Sequence, residues 1–410
     1  MAVLAIPVLL LMHGIVFWNL RDAIARGRPD FSAFYTAGKI VLDGNASRLY
    51  DYGLQTRTQQ RELPHRGNGP VAPLPYIHPP FEAVVDALLA LLPYPAAFLV
   101  WYAVDFVLLV SVPLVLIRQD RLGSLQPYLP WTILVAGGFF PAFACLLQGQ
   151  DATVVLLAFT LCYLCLRSGK YSLAGWSLAL ATIKPHLVLP LLLLLLVSRQ
   201  WRAIAGFAQA CLLLLLASVG LVGWHGLLSY PRFLAAYDRL PAKVAAAYPE
   251  KMANVRGVVH VLLRQPFLDS SAKIVALGLG LALLVVLIVV WRIPEQPGNS
   301  AGRFDALDLK FSVLIPISLM TAYHINIHDL TLLLLPIFVI GNYVKGHVLP
   351  PARRGALGAC TALILITPFV ASAQLMFLAM LVFTIGVIAE LRARIAQPVR
   401  VSASASSGNS

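Results

Sequence analysis

The chain is a succession of leucine-rich apolar runs separated by short polar turns, and this pattern restricts the fold more than any other feature. Runs lie near 2–20, 96–117, 129–147, 152–166, 171–183, 187–198, 203–222, 272–291, 311–323, 329–344, 355–371 and 373–390. Crossing the hydrocarbon of a bilayer takes roughly 20 apolar helical residues. Lipid offers no partner to a backbone N–H or C=O, so only helices and closed barrels can cross it. Unbroken leucine runs without alternation exclude the barrel. The expected fold class is all-α: a polytopic integral membrane protein with about 12 transmembrane helices, the short ones tilted, broken or re-entrant.

Composition agrees. The 410 residues are 59% hydrophobic and 12% charged, with a mean hydropathy of +0.79, which a water-soluble domain could not expose without aggregating. A net charge of +13 would suggest nucleic acid in a soluble chain. Here the basic residues sit between apolar runs, where they orient helices and meet anionic head groups, so no nucleic-acid partner is expected and membrane lipids are. All five cysteines (Cys145, Cys162, Cys165, Cys211, Cys360) fall inside apolar runs and read as small buried hydrophobes, the C-x-x-C at Cys162 and Cys165 included.

Two longer hydrophilic stretches, 21–95 and 223–270, interrupt a single membrane domain over 1–397, and the Ser/Ala/Gly-rich tail at 398–410 reads as disordered. Basic residues in short turns resist translocation. Turns carrying Arg118 and Arg121, Arg167 and Lys170, Arg199 and Arg202, Arg292 with Arg303 and Lys310, Lys345 with Arg353 and Arg354, and Arg392 with Arg394 alternate with turns almost free of them. Both termini are therefore expected in the cytoplasm, with both long loops outside. Arg21, Arg26 and Arg28 after the first run favour the reverse locally and are outvoted. That run is short enough for a signal peptide, but no small-residue cleavage site follows it.

This topology brings Asp30, Gln150, Asp151, Lys184, His186, Asn254, Arg256, His324, His328 and Asp329 to one outer surface, where ionisable groups at membrane depth are functional candidates. No P-loop, zincin, G-x-S-x-G or dinucleotide fingerprint is present. Asp30 opens a helix with Phe31, Phe34, Tyr35 and Gly38 on one interfacial face; it reads either as a helix cap or as a carboxylate placed to take a proton from a hydroxyl. Asp151 reads as a cap to the next span, with Gln150 able to reach sugar hydroxyls. His78 reads as a surface or capping imidazole, although on the candidate side. Lys184 either snorkels to head groups or meets a phosphate. His324 and His328 are four apart, but Ile325 stands where a zincin has Glu and no Cys or Glu completes a set, so no metal is expected there.

Several segments together resemble glycosyltransferase family 87, the polyprenol-phosphate-mannose-dependent mannosyltransferases of the membrane-embedded GT-C class. They are Asp30 to Gly38, Leu42-x-Gly44, Leu49-Tyr50-Asp51, Tyr76-x-x-Pro79-Pro80-Phe81, Trp101, Gly149-Gln150, Ala174-Gly175, Ile183-Lys184-Pro185, Asn254-x-Arg256-Gly257 and His328-Asp329-Leu330, covering roughly 28–345. The resemblance implies a GT-C fold with interfacial helices in the first outer loop. It implies Asp30 as general base, donor-phosphate contacts from Lys184, Arg256 and His328, and sugar or acceptor contacts from Tyr35, His78, Gln150, Asn254, His324 and Asp329. It also implies inverting, metal-independent transfer of a sugar, mannose above others, from a polyprenyl-phosphate donor to a lipid or glycan acceptor on the outer face of an inner membrane, with no cofactor. A secondary transporter or flippase is the rival reading; the chain shows neither the repeated halves nor the mid-span charges of a carrier.

Overall fold

The computed structural model describes residues 2–63, 73–118, 123–237, 248–263, 270–294, 300–370 and 372–395. The tail at 398–410, Arg121, and the loop segments 64–72, 238–247 and 264–269 lie outside the described residues.

Every regular element among the described residues is helical. The helices are α1 (Ala2–Ala25), α2 (Phe31–Leu42), α3 (Tyr52–Glu62), α4 (Ala83–Leu89), α5 (Tyr94–Arg118), α6 (Leu129–Gly138), α7 (Phe140–Gln148), α8 (Ala152–Arg167), α9 (Tyr171–Leu180), α10 (Pro185–Val197), α11 (Trp201–Tyr237), α12 (Val255–Leu263), α13 (Ser270–Trp291), α14 (Ser300–Thr321), α15 (Leu334–Gly346), α16 (Pro351–Val370) and α17 (Ala373–Ile395). Short 3₁₀ turns at Pro80–Glu82 and Ile327–Leu333 lead into α4 and α15. Among the described residues, six helices are long and apolar enough to cross a membrane, or seven if Gly123–Gly138 and Phe140–Gln148, bent by 56°, form one broken span. Other apolar runs fold as shorter helices, among them α8 and α10. Proline and glycine set these breaks: Pro185 starts α10, where its missing N–H costs nothing, and Gly223 interrupts α11 with φ 69°.

Two cores form. The larger joins α5 to α10 with α14 to α17, through side chains such as Phe159, Leu191, Leu314 and Phe383. A second, aromatic core is built by α2 to α4 against the start of α5, around Phe31, Phe34, Tyr35, Tyr76, Tyr94 and Phe98. Phe31, Phe34, Tyr35 and Gly38, expected to share one face of α2, are buried, and so are the residues between them, because α3 and α4 pack over the helix. Glycine permits the closest approach: a Cβ on Gly38 would stand 2.2 Å from the Asp86 carbonyl oxygen of α4. At the α9–α11 crossing, Cβ atoms on Gly175 and Gly206 would meet the carbonyls of Ala203 and Ser172 at 1.9 and 2.2 Å. Small residues at crossings suit lipid, where dispersion replaces the hydrophobic drive between helices. Outward faces, such as Ile274, Leu277, Leu281 and Val285 of α13, are exposed and apolar, as a lipid-facing surface must be.

Polar groups collect at two ends of the bundle. At the end of α8, Arg167 pairs with Asp308, which also accepts from Tyr163 Oη at 2.6 Å. Arg353 pairs with Glu390, which accepts from Tyr343 Oη at 2.6 Å. These residues belong to the basic turns of the sequence. The opposite end of α8, after Asp151, meets the candidate site.

Candidate active site

Helix N-termini converge here: α2 after Asp30, α8 after Asp151, α10 after Lys184, and the 3₁₀ turn after Asn326. Each brings the positive end of its dipole. Lys184 holds them together. Its backbone is non-helical (φ −122°, ψ 75°) ahead of Pro185, and its Nζ stands 2.5 Å from Asp329 Oδ1, 2.9 Å from Asp151 Oδ1 and 3.4 Å from Gln150 Oε1. Asp329 is fixed in turn, since its Oδ2 accepts from Asn326 N at 2.7 Å in a capping box. Burial alone would pull the Lys184 ammonium down, but Asp151 and Asp329 hold it above its ordinary range. Burial would likewise push the Asp151 carboxyl up, and Lys184 and His78 hold it well down.

Gln150 links this triad to Asp30. Gly149 ends α7 in the left-handed region (φ 61°), which turns the chain so that Gln150 faces inward, and Trp101 Nε1 donates to the Gly149 carbonyl at 3.0 Å. Gln150 Nε2 donates to Asp30 Oδ2 at 2.8 Å, while Asp30 N donates to Gln148 Oε1 at 3.2 Å. The Asp30 carboxylate makes no cap bond to α2, and its Oδ2 is held by Gln150. Asp151 makes no cap bond to α8 either; the cap expected of it is replaced by ion pairs, because two cations lie within reach of its buried oxygens.

His78 enters from the loop before α4. Tyr50 Oη donates to its carbonyl at 2.7 Å, and its ring packs edge-on against Phe34 at 4.7 Å. Nδ1 lies 2.9 Å from Glu82 Oε2 and 3.2 Å from Asp151 Oδ2. Burial lowers this imidazole, yet Glu82 and Asp151 outweigh it and hold it up to about 10; burial pushes the Glu82 carboxyl up to about 7. The ligand atoms of His78, Glu82 and Asp151 all lie within 4.8 Å of one another, the group among the described residues that could hold a metal ion.

The far wall comes from α12 and the segment before Ile327. Asn254 Oδ1 caps α12 at Gly257 N (2.8 Å), and its Nδ2 donates to the Ala322 carbonyl (2.8 Å). Arg256 stacks on Tyr323, 4.3 Å from the ring centroid. His324 Nε2 lies 3.3 Å from Asn326 Nδ2, and burial pushes its imidazole down to about 4. His328 is buried with Nε2 3.7 Å from Asp329 Oδ1. Tyr35 Oη donates to the Leu92 carbonyl at 3.0 Å.

Of the residues singled out in the sequence, the fold unites Asp30, Gln150, Lys184, His78, His328 and Asp329 with Asp151. Tyr35 and Asn254 instead brace backbone, and Arg256 and His324 stand along the wall. Glu82 was not singled out, although its i,i+4 spacing from His78 was visible; Asn326 and Gln148 carried no signal.

A model of glycosyltransferase family 87 matches residues 76–316. The chain belongs to this family. It is therefore a glycosyltransferase, with an all-helical polytopic membrane fold. The family 87 match takes in His78, Gln150, Asp151, Lys184, Asn254 and Arg256, while Asp30, His324, His328 and Asp329 lie beyond it and join the site through geometry. No curated protein and no solved structure matches the chain.

Proposed function

We propose that this glycosyltransferase moves a sugar, mannose above others, from a polyprenyl-phosphate donor to a lipid or glycan acceptor on the extracytoplasmic face of an inner membrane, with Asp30 as general base. The observation that carries the reading is the Asp30 carboxylate. It is half-buried at the head of α2, and Gln150 holds one oxygen from the side of the Lys184 triad. Asp30 takes the proton of an acceptor hydroxyl as that oxygen forms its bond to the anomeric carbon. The bond from that carbon to the phosphate oxygen breaks on the opposite face, and polyprenyl phosphate leaves, so the linkage inverts. From a β-linked donor the product is an α-mannoside.

Lys184 is already matched by Asp151 and Asp329, so its part in this reaction is to fix Gln150. The phosphate charge falls to Arg256 and His328 and to the converging helix N-termini. Basic turns at the other end of the bundle support cytoplasmic termini and an outward site.

The test is transfer of radiolabelled sugar from synthetic polyprenyl phosphomannose to membrane lipid extract. Wild type is expected to consume donor and folded Asp30→Asn to lose at least about a hundredfold. Equal turnover by both would remove Asp30 from the mechanism. Turnover of other polyprenyl sugars alone would change the sugar and keep the base.

A further inference from the structure

The second residue of α10 is His186, one position beyond Pro185. Asp329, Lys184, His324 and His78 are the ionisable groups around it, so its imidazole stands among the residues of the site. Its Nε2 is closed in and has no hydrogen-bond partner among the described residues.

Each of these neighbours is already engaged with another group. Asp329 accepts from Lys184 at Oδ1 (2.5 Å) and from Asn326 N at Oδ2 (2.7 Å). The Lys184 ammonium is shared by Asp151, Asp329 and Gln150. His324 Nε2 is taken by Asn326 Nδ2 at 3.3 Å, and His78 Nδ1 lies between Glu82 and Asp151. A buried polar nitrogen left unbonded costs free energy that an apolar residue in the same place avoids. Such an exception calls for a cause, and a ligand that completes the bond is one.

The chemistry of the ring narrows the ligand. Burial pushes this imidazole down to about 4, so it is neutral at neutral pH. A neutral imidazole has one donor nitrogen and one acceptor nitrogen, and it brings no charge to a phosphate. A hydroxyl both donates and accepts, so it can bond Nε2 in either tautomer. In the polyprenyl-phosphate donor the hydroxyls belong to the sugar. His186 keeps partial exposure while Nε2 has none, so a sugar that reaches the ring bonds this nitrogen after a turn about the Cβ–Cγ bond.

We propose that His186 reads the donor sugar, its Nε2 bonding one sugar hydroxyl, and so sets which polyprenyl-phosphate sugar the protein accepts. The inference rests on the donor class proposed above and adds to it a residue that selects among sugars. The sequence gathered His186 on the outer surface and gave it no role.

The experiment uses the purified full chain. It compares kcat/KM for the polyprenyl-phosphate hexose that wild type consumes with kcat/KM for single-deoxy analogues of that donor, each lacking a different hydroxyl of the hexose. His186→Phe keeps a ring and removes both nitrogens; His186→Leu is a second variant in case the first does not fold. A site built to bond a hydroxyl rejects the analogue that lacks it, so in a folded variant one of the wild-type preferences should shrink at least about tenfold while the others hold. A packing role would lower kcat/KM for every donor alike. Turnover by wild type with all preferences unchanged in both folded variants therefore overturns the role of His186 and leaves the proposed function standing. No turnover of any polyprenyl-phosphate sugar by wild type overturns the two together.

Discussion

Gln150 Nε2 donates to Asp30 Oδ2 across 2.8 Å, and the other end of the same amide faces the Lys184 ammonium at 3.4 Å. An ammonium has donors and no acceptor, so it fixes which end of the amide is oxygen and turns the N–H group toward the carboxylate. Gln150 thereby positions Asp30. Gln150→Leu is expected to lower kcat about tenfold to a hundredfold with KM little changed, as for loss of an oriented base. Gln150→Glu sets a second carboxylate beside the first, and the acid limb of the pH–rate profile should move to higher pH. An unmoved limb in a folded, active Gln150→Glu protein would show that this contact does not serve the base.

Removing Lys184 exposes the other side of this network. Lys184→Met leaves buried Asp329 without its cation and Asp151 with His78 alone, a loss on the order of 3–5 kcal/mol. A lowered melting temperature in thermal unfolding is expected. Adding Asp329→Asn should restore part of the stability without restoring transfer, since the amide of Gln150 is still unfixed.

Gly149 is the backbone hinge that aims Gln150. At φ 61°, and with an added Cβ 2.8 Å from Phe31 Cβ, Gly149→Ala is strained twice over. Activity should fall about tenfold or more while the family fold survives in circular dichroism. Trp101→Phe, which removes the 3.0 Å bond to the Gly149 carbonyl and part of the ring packing but leaves the backbone unstrained, should have the smaller effect.

His324 supplies a pH dependence of known sign. Burial lowers its folded pKa to about 4 from an ordinary value of 6.5. The stability linked to it is present above about pH 6.5 and is lost as pH falls through about 4. The difference in melting temperature between wild type and His324→Asn should therefore change across that window and be flat above pH 7. A difference that stays constant from pH 7 to 4 would contradict a buried neutral imidazole.

The helical membrane class and the family resemblance were legible in the sequence. They depend on local hydrophobicity and on order along the chain, and no long-range contact enters. The candidates Asp30, Gln150, Lys184, His78, His328 and Asp329 were legible for the same reason, as polar residues at the ends of apolar runs. Their partners were not. Whether Asp151 caps a helix or pairs with Lys184 depends on where α10 places an ammonium, 33 residues further along the chain. That Asn254 and Tyr35, expected as sugar contacts, donate to the Ala322 and Leu92 carbonyls was set by the fold alone. Polarity at a helix end is a property of the sequence; the choice among ligand, ion pair and brace was made only by packing, which decides what lies within three ångströms.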